Sequence, residues 1–144
     1  MKVYLDNCVF NRPFDNQTDI IVRVEATAKL AIQQMIRVGQ LELLWSNVLD
    51  YENNDNPFEE RRFQISEWKI LAIQNIVMNN TIIEMAGAYM KIGLRQKDAT
   101  HLACAVYGGS DYFITVDKKI LNKSIGGIVI VDPVAFLRRL HNAD

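Results

Sequence analysis

The sequence predicts an α/β fold, a three-layer α/β/α sandwich around a central parallel sheet of about five strands. Two observations carry this. Short apolar runs alternate with stretches of helical period along the whole chain, and that alternation builds a parallel sheet covered on both faces. The segment from Leu94 to Asp117 contains the repeating unit in one piece. Ala99, Leu102, Ala103 and Val106 recur at helical spacing, Gly108-Gly109 stops the pattern, and Tyr112 to Val116 runs extended into Asp117. Asp98 stands at the start of this helix. A helix packed antiparallel on its strand brings the outer ends of the unit to one edge of the sheet. Asp98 and Asp117, far apart in sequence, are therefore expected as neighbours.

The other elements follow in order. Val3-Tyr4-Leu5, within a strand from Lys2 to Leu5, is nearly continuous in hydrophobicity, as a central parallel strand requires, and Asp6-Asn7 follows it directly. Asn11 to Asn16 is rich in turn formers, and Thr18 or Asp19 can cap the next helix. Ile20, Val24, Thr27 or Ala28, Ala31, Met35 and Val38 are read as that helix's core face, with Gly39 as its C-terminal stop. Leu41 to Trp45 is the second strand and Ser46 or Asn47 caps the helix after it. On this helix Val48, Leu49 and Glu52 share the inner face while Asp50 turns away. Asn56-Pro57 opens a helix with Phe58, Ile65, Trp68, Ala72 and Ile76 on its apolar face, down to Asn79-Asn80. Thr81 to Ile83 is the expected third strand and Ala86 to Ile92 a helix ending at Gly93. Beyond Asp117, Lys118 to Leu121 makes about one helical turn, Gly127 to Val131 a fifth strand, and Asp132-Pro133 starts a closing helix through Leu140.

The 144 residues suit one domain spanning 1–144, long enough to bury a core without staples. No apolar run reaches the length that crosses a bilayer, and Asp6 interrupts the first apolar run too early for a signal peptide. A cytoplasmic protein is expected. Cys8 and Cys104 lie among apolar neighbours, where a small buried thiol is the simple reading, and no cysteine-histidine zinc pattern exists. A net charge of -1 and a pI of about 6.1 argue against a broad electrostatic grip on nucleic acid. Local basic groups such as Arg12, Arg95 and Lys118 remain beside the loops.

In open parallel sheets, sites form at the carboxyl ends of the strands. Asp6 leaves strand one, Glu52 lies in the helix entered from strand two, Asp98 starts the helix that feeds the Tyr112 strand, and Asp117 leaves that strand. Asp98 and Asp117, taken singly, are better explained as helix caps than as ligands. Jointly, four acids on one rim repel each other and raise one another's pKa unless a cation joins them. A hard divalent ion such as Mg²⁺ or Mn²⁺ prefers oxygen ligands, is often shared with substrate phosphate, and can activate water for phosphodiester hydrolysis.

Lys2 to Asn7, Ser46 to Glu52, Lys97 to Ala105 and Asp111 to Asp117 together resemble a PIN domain (PilT N-terminus family), over nearly the whole chain. The resemblance implies a Mg²⁺- or Mn²⁺-dependent ribonuclease, often the toxin of a bacterial toxin-antitoxin pair similar to VapC. By position, Asp6, Glu52, Asp98 and Asp117 match that family's metal-binding acids, and Asn7 and Thr115 its supporting polar positions. RNA as substrate, an antitoxin protein as partner and a homodimer are implied in the same way. Asn7-Cys8 departs from the pattern, since a small hydroxyl residue followed by a polar one is usual there; the insert from Asn53 to Arg62 also departs from it.

The leading expectation is an endoribonuclease with its ion at the four acids and Arg12, Arg95 or Lys118 on the RNA backbone. The alternative is a catalytically degenerate PIN-fold module that binds RNA or protein. A third reading, phosphotransfer through an aspartyl phosphate at Asp6, lacks the second acid two residues further on.

Overall fold

The computed structural model describes residues 1–142. Five strands, β1 (Lys2–Leu5), β2 (Glu42–Ser46), β3 (Gln74–Ile76), β4 (Tyr112–Ile114) and β5 (Val129–Val131), form one sheet in the order β3-β2-β1-β4-β5, and every pairing is parallel. Val3, Tyr4 and Leu5 are all 0% exposed. Successive strand residues point to opposite faces, so both faces of β1 are covered and the sheet is the middle layer.

Eight α-helices flank it among the described residues: α1 (Asn7–Asn11), α2 (Ile20–Arg37), α3 (Asn47–Asn54), α4 (Glu59–Glu67), α5 (Asn80–Lys91), α6 (Gln96–Tyr107), α7 (Lys118–Leu121) and α8 (Pro133–Asn142). α5 packs on α6, and α2 on α8 and α1. Among the described residues no helix is long and apolar enough to cross a membrane. The chain winds from β1 through β2 to β3 on one side and through β4 to β5 on the other. The direction therefore changes between β1 and β4, and a crevice at the carboxyl ends of those two strands is where such folds place ligands.

Local chemistry explains the element ends. Ser46 and Asp19 accept hydrogen bonds from backbone amides at the starts of α3 and α2. After α6, Gly109 takes φ 75°, with its own N–H on the Val106 carbonyl at 3.0 Å and the Ser110 N–H on the Ala105 carbonyl at 2.9 Å. This paired arrangement satisfies the last carbonyls and turns the chain into β4. Gly108 is needed for a different reason: a Cβ there would lie 2.9 Å from the Leu44 and Ile76 Cδ1 atoms. Both neighbours are core residues. Gly108→Ala is expected to cost about 1 to 3 kcal/mol by overpacking, read as a lowered midpoint in urea at unchanged slope.

Three sequence expectations are corrected. The third strand is Gln74–Ile76, whereas Thr81 to Ile83 belongs to α5, which Asn79 caps by accepting from the Ile82 N–H at 2.9 Å. β3 is an edge strand with only Ile76 buried, so it needs almost no apolar pattern. Consequently the helix expected from Pro57 down to Asn79-Asn80 is cut short. α4 ends at Glu67, a 3-10 turn covers Trp68–Leu71, and the chain joins β2 through the Ile73 N–H to Leu43 carbonyl bond at 2.9 Å. Finally, the core face of α2 is Ala26, Ala28, Lys29, Ile32, Gln33 and Ile36, while Ile20, Val24 and Val38 are exposed. The buried stripe is turned by about one residue, roughly 100° on a helix, because two of its members are polar and carry no hydrophobic signal.

Candidate metal centre

Asp6 leaves β1 at the point where the chain direction changes. Its N–H still pairs with the Ile114 carbonyl at 2.9 Å, so backbone and side chain are both held. As N-cap of α1, its Oδ1 accepts from the Asn7 N–H at 2.8 Å. Its Oδ2 accepts from the Thr115 hydroxyl at 2.8 Å and the Cys8 thiol at 3.3 Å. The side chain is buried and has no ion pair among the described residues. Burial raises its pKa above the ordinary carboxylate value; His101 and the Thr115 hydroxyl counter the rise in part, and Glu52 adds to it. Burial and the Asp6 charge also push the Cys8 thiol well up. Cys8 is therefore a neutral donor toward Asp6.

Glu52 comes in from α3. Its Oε2 accepts from the Asn7 amide at 3.3 Å, and its Oε1 is hydrogen-bonded to His101 Nε2. Burial pushes Glu52 up, yet the His101 bond and charge, Lys97 and the Asn7 amide leave it below its ordinary value. One oxygen of Asp6, one of Glu52 and a ring nitrogen of His101 all lie within 4.8 Å of one another. Asp50, by contrast, is used elsewhere: it accepts from Trp45 Nε1 at 2.9 Å and Lys69 Nζ at 3.0 Å.

His101 is the member that sequence reasoning missed. It is completely buried on α6, and its Nδ1 lies 2.6 Å from the Tyr4 hydroxyl, itself 2.6 Å from the Ser46 hydroxyl. Where the ring carries its proton on Nε2 alone, one direction satisfies every group. Nε2–H donates to Glu52, Tyr4 O–H donates to Nδ1, Ser46 O–H donates to Tyr4, and Ser46 Oγ accepts from the Leu49 N–H at 3.3 Å. The available signal was the spacing from Asp98 to His101, three residues on one helix face.

Asp98 and Asp117 stand outside that group of three. Asp98 is the third residue of α6, with Arg95 at the cap position, so it is not the cap. Its Oδ2 is buried and accepts no hydrogen bond, as is also true of Asn7 Oδ1. Asp117 caps α7, accepting from the Lys119 N–H at 2.9 Å, and its own N–H bonds the Thr115 hydroxyl at 3.1 Å. Arg95 joins the two acids, with Nε 3.5 Å from Asp98 and a terminal nitrogen 3.9 Å from Asp117. Its side chain is 67% exposed, so this contact is solvent-screened and weak. Lys118 is exposed at the start of α7. Arg12 is engaged with Asp15 at 3.0 Å and Glu25 at 3.1 Å.

No family model matches the sequence, and no curated protein matches it. Among solved structures the chain is similar to VapBC2 from Rickettsia felis, determined bound to a DNA fragment from its promoter, with 11% identity. The match covers 90% of this chain and 97% of that chain at a TM-score of 0.55, and on that likeness and its parallel five-stranded sheet the fold is an α/β/α sandwich of the PIN type.

Proposed function

We propose that the chain forms a single PIN-like domain and is a divalent-metal-dependent endoribonuclease, with Asp6, Glu52, Asp98 and Asp117 holding Mg²⁺ or Mn²⁺. The observation that carries this reading is the buried Asp6, which has no ion pair among the described residues, beside Glu52 and next in sequence to Asn7, whose buried Oδ1 accepts no hydrogen bond. Buried oxygens without donors are unfavourable, and a hard cation with its waters satisfies such a set. Once bound, the ion supplies water activation and neutralises charge on a phosphodiester.

The chain's own residues prepare that site. Thr115 and Cys8 fix the Asp6 carboxylate, Asn7 and His101 fix Glu52, and the largely exposed Arg95 lies between Asp98 and Asp117. Arg95 and Lys118 are the groups free to hold an RNA backbone; Arg12, paired twice, props the loop before α2. The likeness to a VapBC assembly supports an antitoxin protein as partner; a cytoplasmic homodimer is the working form proposed with it. The Arg95 bridge also supports a second reading, a degenerate module whose acids are neutralised internally.

Thermal unfolding with and without millimolar Mn²⁺ separates the two. The ion is expected to raise the melting temperature of the wild type by several degrees, since a ligand at a hundred times its Kd contributes about 2.7 kcal/mol. Asp6→Asn is expected to lose the rise. If Mn²⁺ moves neither protein, the acids do not form a metal site and the binding-module reading replaces the nuclease.

A further inference from the structure

A second cavity-bearing region lies on α2, among residues that the acidic edge does not use. Lys29 is 3% exposed, and among the described residues its ammonium has no hydrogen bond or ion pair. It stands 5.5 Å from the Phe10 ring centroid and 5.4 Å from that of Trp68. Lys29 lines a cavity of about 610 Å³, together with Gln33 and Arg37. These three residues are four apart, hence on one face of α2. Gln33 is buried, and the exposed Arg37 lies over Trp68 at 4.8 Å. The remaining lining is mostly apolar, with Phe10, Ile65 and Leu71 on it, and Glu67 lines the cavity without pairing with either cation.

A buried cation without a counter-ion is costly, and aromatic faces at these distances offset only part of the cost. A methionine would fill the position more stably. An apolar cavity of this volume with a few convergent polar groups has the form of a small-molecule site, and a cationic group on a mostly apolar lining suits an acidic head carried on an apolar body. We propose that this cavity binds a small amphipathic organic anion, its acidic head on Lys29 and Gln33, its apolar body against Phe10 and Trp68, and Arg37 at the mouth.

The test is a fluorescence titration with the aromatic sulfonate anilinonaphthalenesulfonate, its uncharged counterpart phenylnaphthylamine, and octanoate as competitor. One saturable sulfonate site per chain is expected, displaced by octanoate. Loss of a charge-assisted bond weakens binding by about tenfold or more, which is the change expected for Lys29→Met. Arg37→Gln, a surface change that leaves the fold intact, is expected to weaken it several-fold, while the uncharged dye is indifferent to both substitutions. A melting curve for Lys29→Met shows that it is folded. Sulfonate binding as tight in Lys29→Met as in the wild type, equal binding of the uncharged dye, or no saturable binding would each overturn the proposal.

Discussion

Replacing His101 by alanine is expected to lower stability by about 4 kcal/mol and to abolish the Mn²⁺-induced rise in melting temperature. The magnitude has two sources. Truncating a fully buried ring leaves a cavity in a close-packed interior, at about 2 to 5 kcal/mol for large-to-small core changes. The imidazole also satisfies a buried Tyr4 hydroxyl on one side and Glu52 on the other, and an orphaned buried polar group costs about 1 to 3 kcal/mol. His101→Gln distinguishes the two contributions, because its amide reaches the Nε2 position and keeps a donor for Glu52. It is expected to retain part of the metal response while still losing stability at Tyr4. Urea unfolding at neutral pH measures the first effect and thermal shift with Mn²⁺ the second. A loss under about 1 kcal/mol in His101→Ala would mean the buried chain from Glu52 to Ser46 contributes little to the fold.

Lys29→Met is expected to do the opposite and stabilise the protein, most strongly at and below neutral pH. Burial, with the Arg37 charge adding to it, lowers the Lys29 amine from 10.5 to about 7. The unfolded chain keeps this proton up to the ordinary value, while the folded chain releases it near neutrality. Between those limits the unfolded state binds more protons, so the Lys29 contribution to stability rises with pH. A shift of that size corresponds to about 4 to 5 kcal/mol at 1.36 kcal/mol per pKa unit. The difference between variant and wild type should therefore be largest at pH 6 to 7 and shrink toward pH 10. Arg37 on the same helix and Glu67 across the cavity are the other charged groups facing the amine, and both remain in the variant. Denaturant midpoints over this range test it; a difference that does not change with pH would mean Lys29 stays solvated and charged in the folded state.

The two predictions concern residues whose importance local pattern does not show. His101 sits between Thr100 and Leu102 in a stretch that reads simply as helix. Its partners are Glu52, 49 residues earlier, and Tyr4, 97 residues earlier. Lys29 looks like an ordinary surface charge because a pattern of apolar spacing passes over it. For the same reason the apolar pattern places the core face of α2 about one residue out of phase. Arg12 shows the converse: beside a loop it suggests a free phosphate ligand, and only the approach of Asp15 and Glu25 reveals a structural pair.

What the sequence by itself determined was the class of fold and the edge on which Asp6 and Asp117 stand. Alternating apolar runs and helical periods require a parallel sheet covered on both faces, and Asp6 follows β1 directly while Asp117 stands three residues past the end of β4, so their placement needs little long-range information. Helix starts at Asp19 and Ser46 and stops at Gly39 and Gly109 are legible for the same reason, since capping and turning are properties of four or five adjacent residues. Tertiary structure alone decided that the edge strand is Gln74–Ile76, that Glu52 is held by a buried His101, and that α2 buries a lysine against two aromatic rings. Those outcomes depend on which surfaces meet across tens of residues, where packing and hydrogen-bond satisfaction outweigh local propensity.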